Sequence, residues 1–403
     1  MSAAPPLADT EAAHGYLRRI CFKTGPPGLV GAELEWVVAR RDDPRADVRA
    51  CDLRSLFEGA DRFPGGSVMS LEPGGQVELS SLPAPNVTGC CADLASDVTH
   101  LESLLGTAGL VLVAEGMDPN RWPTRQIHEP RYNAMATYFN GLGHDLGRIM
   151  MTSTAGIQVN LDAGADHADV ARRWQLLHLL GPPLSAAFAN SPRLRGTTTG
   201  WKSTRQAVWL HLDPPRTHPP PTGDPLVTWP EYVLAAPVMM LRTTTGPWLP
   251  APGFSFGEWV GGRVQHLDAP TEEDLLYHLS TLFPPVRPRG WFEVRYLDAQ
   301  APAWWTVPVT VLATLLEHPD LTDAATEACL PVADSWLSAA RSGLGDGALA
   351  EAAQKVFRCV APAVADPGLR QAVTAFAARY VDRSRSPADD VIDRRDTPTR
   401  LRP

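Results

Sequence analysis

With 403 residues, 44% of them hydrophobic and 20% charged, the chain can bury a sizeable core, which excludes a disordered protein. Its formal net charge of -9 argues against a nucleic-acid surface, because phosphate backbones attract basic stripes; an anionic ligand here needs help from a metal. No charged start runs into an apolar stretch and nowhere do about 18 uninterrupted apolar residues occur, so neither a signal peptide nor a membrane anchor is expected, and the protein is expected in the cytoplasm.

Residues 1–8 carry no apolar periodicity and are expected to be a mobile end. The first patterned segment, AELEW at 32–36, points Glu33 and Glu35 one way and Ala32, Leu34 and Trp36 the other. GQVELS at 75–80 repeats the pattern, with Gln76, Glu78 and Ser80 opposite Val77 and Leu79. CCADLASDVTHLESLLGTAGL has helical spacing, and GIQVNLD at 156–162 is again a strand, with Gln158, Asn160 and Asp162 opposite Ile157, Val159 and Leu161. DVARRWQLLHLLGPPLSAAFA returns to helical spacing. The Pro-dense stretch 211–230 excludes a helix interior and predicts a long surface loop, as does 242–262; such loops commonly cover a substrate. WFEVRYL at 291–297 sets Glu293 and Arg295 against Phe292, Val294 and Tyr296. From 306 to 383 the chain is Ala- and Leu-rich and reads as a helical cluster, and 384–403 reads as a disordered tail, leaving one domain over 9–383. The six cysteines show no CxxC pair and no zinc spacing, so reduced thiols without a regulatory disulfide are expected.

One wet sheet face explains any single strand of this kind. Together the four polar faces carry Glu, Gln, Asn, Asp162, Ser80 and one Arg with no Lys, which is a face built to coordinate something. A buried carboxylate costs several kcal/mol unless it is paired or bound to a cation. Oxygen ligands of this type suit Mg²⁺, with Mn²⁺ as the alternative, and Mg²⁺ shares its shell with phosphates and water. GTTTGWKS at 196–203 does not have the Walker spacing and no GxGxxG follows a strand, so metals and arginines would have to hold a nucleotide's phosphates. A two-metal hydrolase and a module holding structural Ca²⁺ remain open on these residues alone.

The ordered set ELE at 33–35, EPGGQVELS at 72–80, MMTSTAGIQVNLD at 150–162, ANSP at 189–192, STRQAVW at 203–209 and GWFEVRYLD at 290–298 resembles the glutamate-cysteine ligase family. The branch resembled is the plant-type one, and within it the actinobacterial members that make γ-glutamylcysteine for ergothioneine. The resemblance implies an α+β fold: a glutamine-synthetase-like antiparallel sheet curved into an open funnel, flanked by helices, with a helical C-terminal part. It implies ATP-dependent joining of the γ-carboxylate of L-glutamate to the amine of L-cysteine through γ-glutamyl phosphate, with no obligate protein partner. A ligase with a different amine acceptor is the next reading.

By the same resemblance Glu33, Glu35, Glu72, Glu78 and Glu293 are expected as metal-binding carboxylates, and Gln158 stands where another branch has a histidine ligand. Arg295 and Arg205 are expected to act on phosphate or substrate carboxylate, Lys202 to support ATP binding, and Arg131, Arg205 and Asn160 to contact substrate. Trp209 and Trp259 read as core aromatics.

Overall fold

The computed structural model describes residues 5–26, 28–58, 62–243, 247–251, 253–265 and 267–396. Its centre is a seven-stranded sheet of β1 (Val30–Arg40), β2 (Val68–Leu71), β3 (Val77–Ser80), β4 (Leu110–Val113), β5 (Gly156–Asp162), β6 (Val286–Pro288) and β7 (Trp291–Asp298). The order is β6-β7-β5-β1-β3-β2, with β4 on the second half of β1, and every pairing is antiparallel. The sheet ends in β6 and β2 and does not close on itself.

Register decides where the chemistry goes. Glu33 lies opposite Gln158, Glu35 opposite Glu78, and Glu293 opposite Asn160. Because side chains alternate along a strand, these polar groups share one face while Leu34, Val77, Val159, Phe292 and their neighbours share the other. That apolar face is buried under the helices Val87–Thr107, Gly181–Ala187 and Thr306–Glu317, with Gly347–Ala363 and Pro367–Arg379 behind them. A second, Met-rich core stands apart from the first and joins the helices Pro130–Gly141, Leu146–Ser153 and Thr204–Leu212. It forms a wall beside the polar face.

Three expectations are corrected. The Pro-dense stretch holds the helices Pro214–Thr217 and Pro225–Ala235, each starting on its proline, where a missing N–H costs nothing. Pro230 sits inside the second helix, and the carbonyl of Leu226 that its absent N–H leaves free accepts from Arg18 Nε at 2.9 Å. At the N-terminus Leu7 is buried and its N–H donates to Pro270, so residues 5–8 are pinned; residues 1–4 lie outside the described residues. The expected tail is instead a helix, Pro387–Asp396, whose Ala388 N–H donates to the carbonyl of Ala189; residues 397–403 lie outside the described residues. Among the described residues no helix is long and apolar enough to cross a membrane.

Candidate active site

The polar face of the sheet and the Met-rich wall enclose a cleft of ≈ 230 Å³ that opens to solvent on one side. β1 supplies Glu33 and Glu35, β3 Glu78, β5 Gln158, and β7 Glu293 and Arg295. The wall supplies Arg131, Tyr132, Met135, Met150, Met151, Arg205, Trp209 and Phe283. Glu72 arrives on a tight turn between β2 and β3, closed by Gly75 N–H donating to Glu72 O and Glu72 N–H donating to Gln76 O. Two glycines make that turn. Gly75 has φ +85, and a Cβ at position 74 would lie 2.2 Å from Thr152 O.

One end of the cleft is acidic. Glu35 accepts from the Gly156 N–H at 2.8 Å and from Gln158 Nε2 at 2.9 Å, and Glu33 accepts from Asn160 Nδ2 at 3.0 Å. The hydroxyls of Ser70 and Ser80 donate to Glu78. None of Glu33, Glu35, Glu72 and Glu78 is in an ion pair among the described residues. Burial, and after it the charge of Glu35, pushes Glu72 up to about 7 and Glu78 up to about 8; burial and then Glu293 raise Glu33. Carboxylates crowded together without ion pairs raise one another's pKa, and Arg295 and Arg131 offset that only in part.

The other end is basic and was only half legible in the sequence. Arg287 forks onto Glu293 at 2.5 and 3.1 Å, Arg289 reaches it at 3.2 Å and Arg295 at 3.3 Å. Against the burial that would push Glu293 up, Arg287, Arg295 and Arg289 hold it down to about 2. Arg295 also donates to Gln158 Oε1 at 2.5 Å, and thereby joins the basic end to Glu35.

Between the two ends sits Arg205, 3% exposed on the helix Thr204–Leu212. Its Nη2 donates to Arg295 O at 3.0 Å and its Nη1 lies 3.8 Å from Asp298, while Nε and Nη1 make no hydrogen bond among the described residues. Trp209 Nε1, one turn along, is also buried without an acceptor among them. Both side chains line the cleft from the same helical face.

Residues 29–400 match the glutamate-cysteine ligase family 2 (GCS2). The chain belongs to that family. It is 43% identical to "Glutamate–cysteine ligase EgtA" of Mycobacterium tuberculosis (strain CDC 1551 / Oshkosh) over 98% of this chain and 93% of that protein. To the protein of the same name from Mycolicibacterium smegmatis it is 41% identical over 96% and 92%. Its fold resembles that of glutamate–cysteine ligase from Francisella tularensis solved in complex with AMP, with a TM-score of 0.50 and 14% identity, covering 94% of this chain and 86% of that one.

Within this glutamate-cysteine ligase family member the cleft brings together Glu33, Glu35, Glu72, Glu78, Gln158, Glu293, Arg131, Arg205 and Arg295. Glu293 has both oxygens hydrogen-bonded to arginines, and the Gln158 oxygen accepts from Arg295. Asn160 donates to Glu33 and accepts from Trp291 Nε1 at 2.9 Å. Lys202 is outside the cleft, its Nζ 2.7 Å from Asp389 of the last helix. Lys202→Ala is therefore expected to leave the KM for ATP within about twofold and to lower the melting temperature modestly, since a part-exposed ion pair contributes about 1 kcal/mol or less; steady-state kinetics with a thermal melt checks both. Sequence reasoning missed Arg287 and Arg289, which sit in a Pro-rich segment with no periodic signal, and it read the cleft-lining Trp209 as core.

Proposed function

We infer that this chain is an ATP-dependent glutamate–cysteine ligase acting in ergothioneine biosynthesis. The observation that carries the reading is family membership over nearly the whole chain, joined to a cleft with a carboxylate end and an arginine end. The γ-carboxylate of glutamate takes the γ-phosphoryl of ATP to give γ-glutamyl phosphate, and the amine of cysteine then displaces phosphate. The AMP bound by the Francisella tularensis ligase supports nucleotide use on this fold.

The fit for a divalent cation rests on the donors: four half-buried carboxylates free of ion pairs among the described residues, three of which, Glu33, Glu72 and Glu78, are raised first by burial. Among the described residues no three of them converge closely enough to hold an ion unaided, so a bound cation would need water and substrate phosphates to complete its shell. Glu33, Glu35, Glu72 and Glu78 are proposed to hold it. When bound, Mg²⁺ neutralises the phosphate charge that repels an incoming carboxylate. Arg205 and Trp209 orient an anionic end of the substrate, Arg131 and Arg295 flank it, and Gln158 with Glu293 keeps Arg295 in place. The Met-rich wall excludes water from the phosphorylated intermediate.

Incubation with ATP, Mg²⁺, glutamate and a panel of amines tests the reading. Cysteine is expected to support ADP release with formation of γ-glutamylcysteine; release with another amine but not with cysteine would overturn the substrate assignment.

The acidic end also sets a pH dependence. Glu72 and Glu78 titrate near 7 and 8 in the folded chain against 4.5 unfolded, so the folded state binds the extra protons and metal-free stability falls as pH rises through that interval. His178 and His278, held by burial to about 4 and 3 against 6.5, act oppositely, but only below about 6.5. Glu293, held to about 2, has released its proton well below this interval. Between pH 6.5 and 8 the metal-free melting temperature is thus expected to fall, and saturating Mg²⁺ to raise it more at pH 8 than at pH 6.5. Calorimetry at the two pH values, showing equal Mg²⁺ stabilisation at both, would remove the metal from these carboxylates.

A further inference from the structure

Arg216 is 0% exposed and lines no part of the cleft, yet the whole of its guanidinium is engaged. Nε donates to Asp213 Oδ2 at 2.9 Å, Nη1 to the carbonyl and hydroxyl of Thr281 at 3.1 and 3.0 Å, and Nη2 to Tyr138 Oη at 3.2 Å and Pro237 O at 2.7 Å. Tyr138 in turn donates to Asp213 Oδ2 at 2.9 Å, and the Arg216 carbonyl accepts from Phe283 N–H at 2.9 Å. All arms of this junction but the one to Pro237 lead to the outer wall of the cleft. Tyr138 is on the helix Pro130–Gly141, which also carries Arg131, Tyr132 and Met135. Asp213 caps the end of the helix that carries Arg205 and Trp209. Thr281 and Phe283 flank the segment that follows Ser280, whose hydroxyl and carbonyl accept from Arg131 at 2.9 and 2.8 Å.

We propose that Arg216 is a positioning residue for the ligase reaction, setting the outer wall of the cleft, Arg131 above all, relative to the carboxylate face; this rests on the ligase reading above. The physical reason is count and rigidity. A planar guanidinium offers five donors in fixed directions, and here they tie together segments that the sheet does not hold in register. A lysine keeps the charge beside Asp213 and loses the fork. Glu33, Glu35 and Glu78, pinned by strand pairing, are held independently of the junction.

The test uses the full chain carrying Arg216→Lys, and separately Tyr138→Phe, which removes one hydroxyl and is the decisive variant should the lysine form not fold. Both are assayed with Mg²⁺, ATP, glutamate and cysteine, alongside Mn²⁺ binding and thermal melting. Misplacing a substrate-facing group by about 1 Å costs on the order of 100-fold. Arg216→Lys is accordingly expected to lower kcat/KM for glutamate or cysteine by about 10- to 100-fold, and Tyr138→Phe by less. The Mn²⁺ dissociation constant should stay within about twofold of the unaltered protein, because the wall moves and the carboxylates do not. Adding Arg131→Ala to Arg216→Lys should then cost little more than either alone. The inference is overturned by kcat/KM within twofold in folded variants despite a lowered melting temperature, by effects of Arg131→Ala and Arg216→Lys that multiply, or by Mn²⁺ affinity falling in step with turnover. An unaltered protein that releases no ADP with any amine would sink the ligase reading, while a lost double-mutant coupling with ligation intact sinks this one alone.

Discussion

Glu78→Gln is expected to abolish ligation while leaving the protein folded. The side chain sits on β3 opposite Glu35, and glutamine keeps an oxygen to accept from Ser70 and Ser80, so neither strand pairing nor local hydrogen bonding is lost. What disappears is a charge held close to Glu35, Glu72 and Glu33, the neighbours whose repulsion, after burial, raises Glu78 to about 8. The metal-free protein should therefore melt no lower than the unaltered one, and its fall in stability above pH 6.5 should shrink. Activity moves the other way. Metal stabilisation of developing phosphate charge is worth several kcal/mol, roughly 10²- to 10⁴-fold in rate, and a cleft with one carboxylate fewer cannot place the ion. Turnover within tenfold of the unaltered protein at limiting Mg²⁺ would mean that Glu78 does not hold the metal.

The second large effect is expected at Arg205. Arg205→Lys keeps a positive charge beside the buried Asp298, whose carboxyl is pushed up by burial in spite of it, and so avoids the cost of stranding that group. The lysine has no planar fork to replace the free Nε and Nη1 edge. Charge-assisted hydrogen bonds contribute roughly 1.5–3 kcal/mol each, so the KM for glutamate should rise about 10- to 100-fold with a smaller change in kcat. If the KM for ATP rises instead and that for glutamate does not, Arg205 holds phosphate. The close packing of its Nη2 against Gly156, where a Cβ would lie 2.4 Å away, gives an independent check: Gly156→Ala should disturb the same constant by displacing the guanidinium.

Strand alternation made the carboxylate face readable before any coordinates, because period two is strict: once Glu33 and Glu35 share a side, Leu34 must point away. The ordered motifs carried the fold and the reaction class for the same reason, each being a local pattern of few residues. Local patterns also misled. The Pro-dense stretch became helical because Arg18, more than two hundred residues away, takes the carbonyl that Pro230 leaves free. The expected tail became a helix because Lys202 and Ala189 offer it partners.

By itself, then, the sequence determined four of the sheet's seven strands, their polar face, the family and the set of acidic side chains, all of which depend on neighbours in the chain. Only the tertiary structure decided how those groups divide the work. Glu293 looks like Glu33 and Glu35 in a strand pattern, yet three arginines from β6, β7 and the turn between them pair with it, while Glu33 and Glu35 form no ion pair among the described residues. A carboxylate's role is set by the charges within about 4–6 Å of it, and those come from segments whose separation in sequence carries no such information.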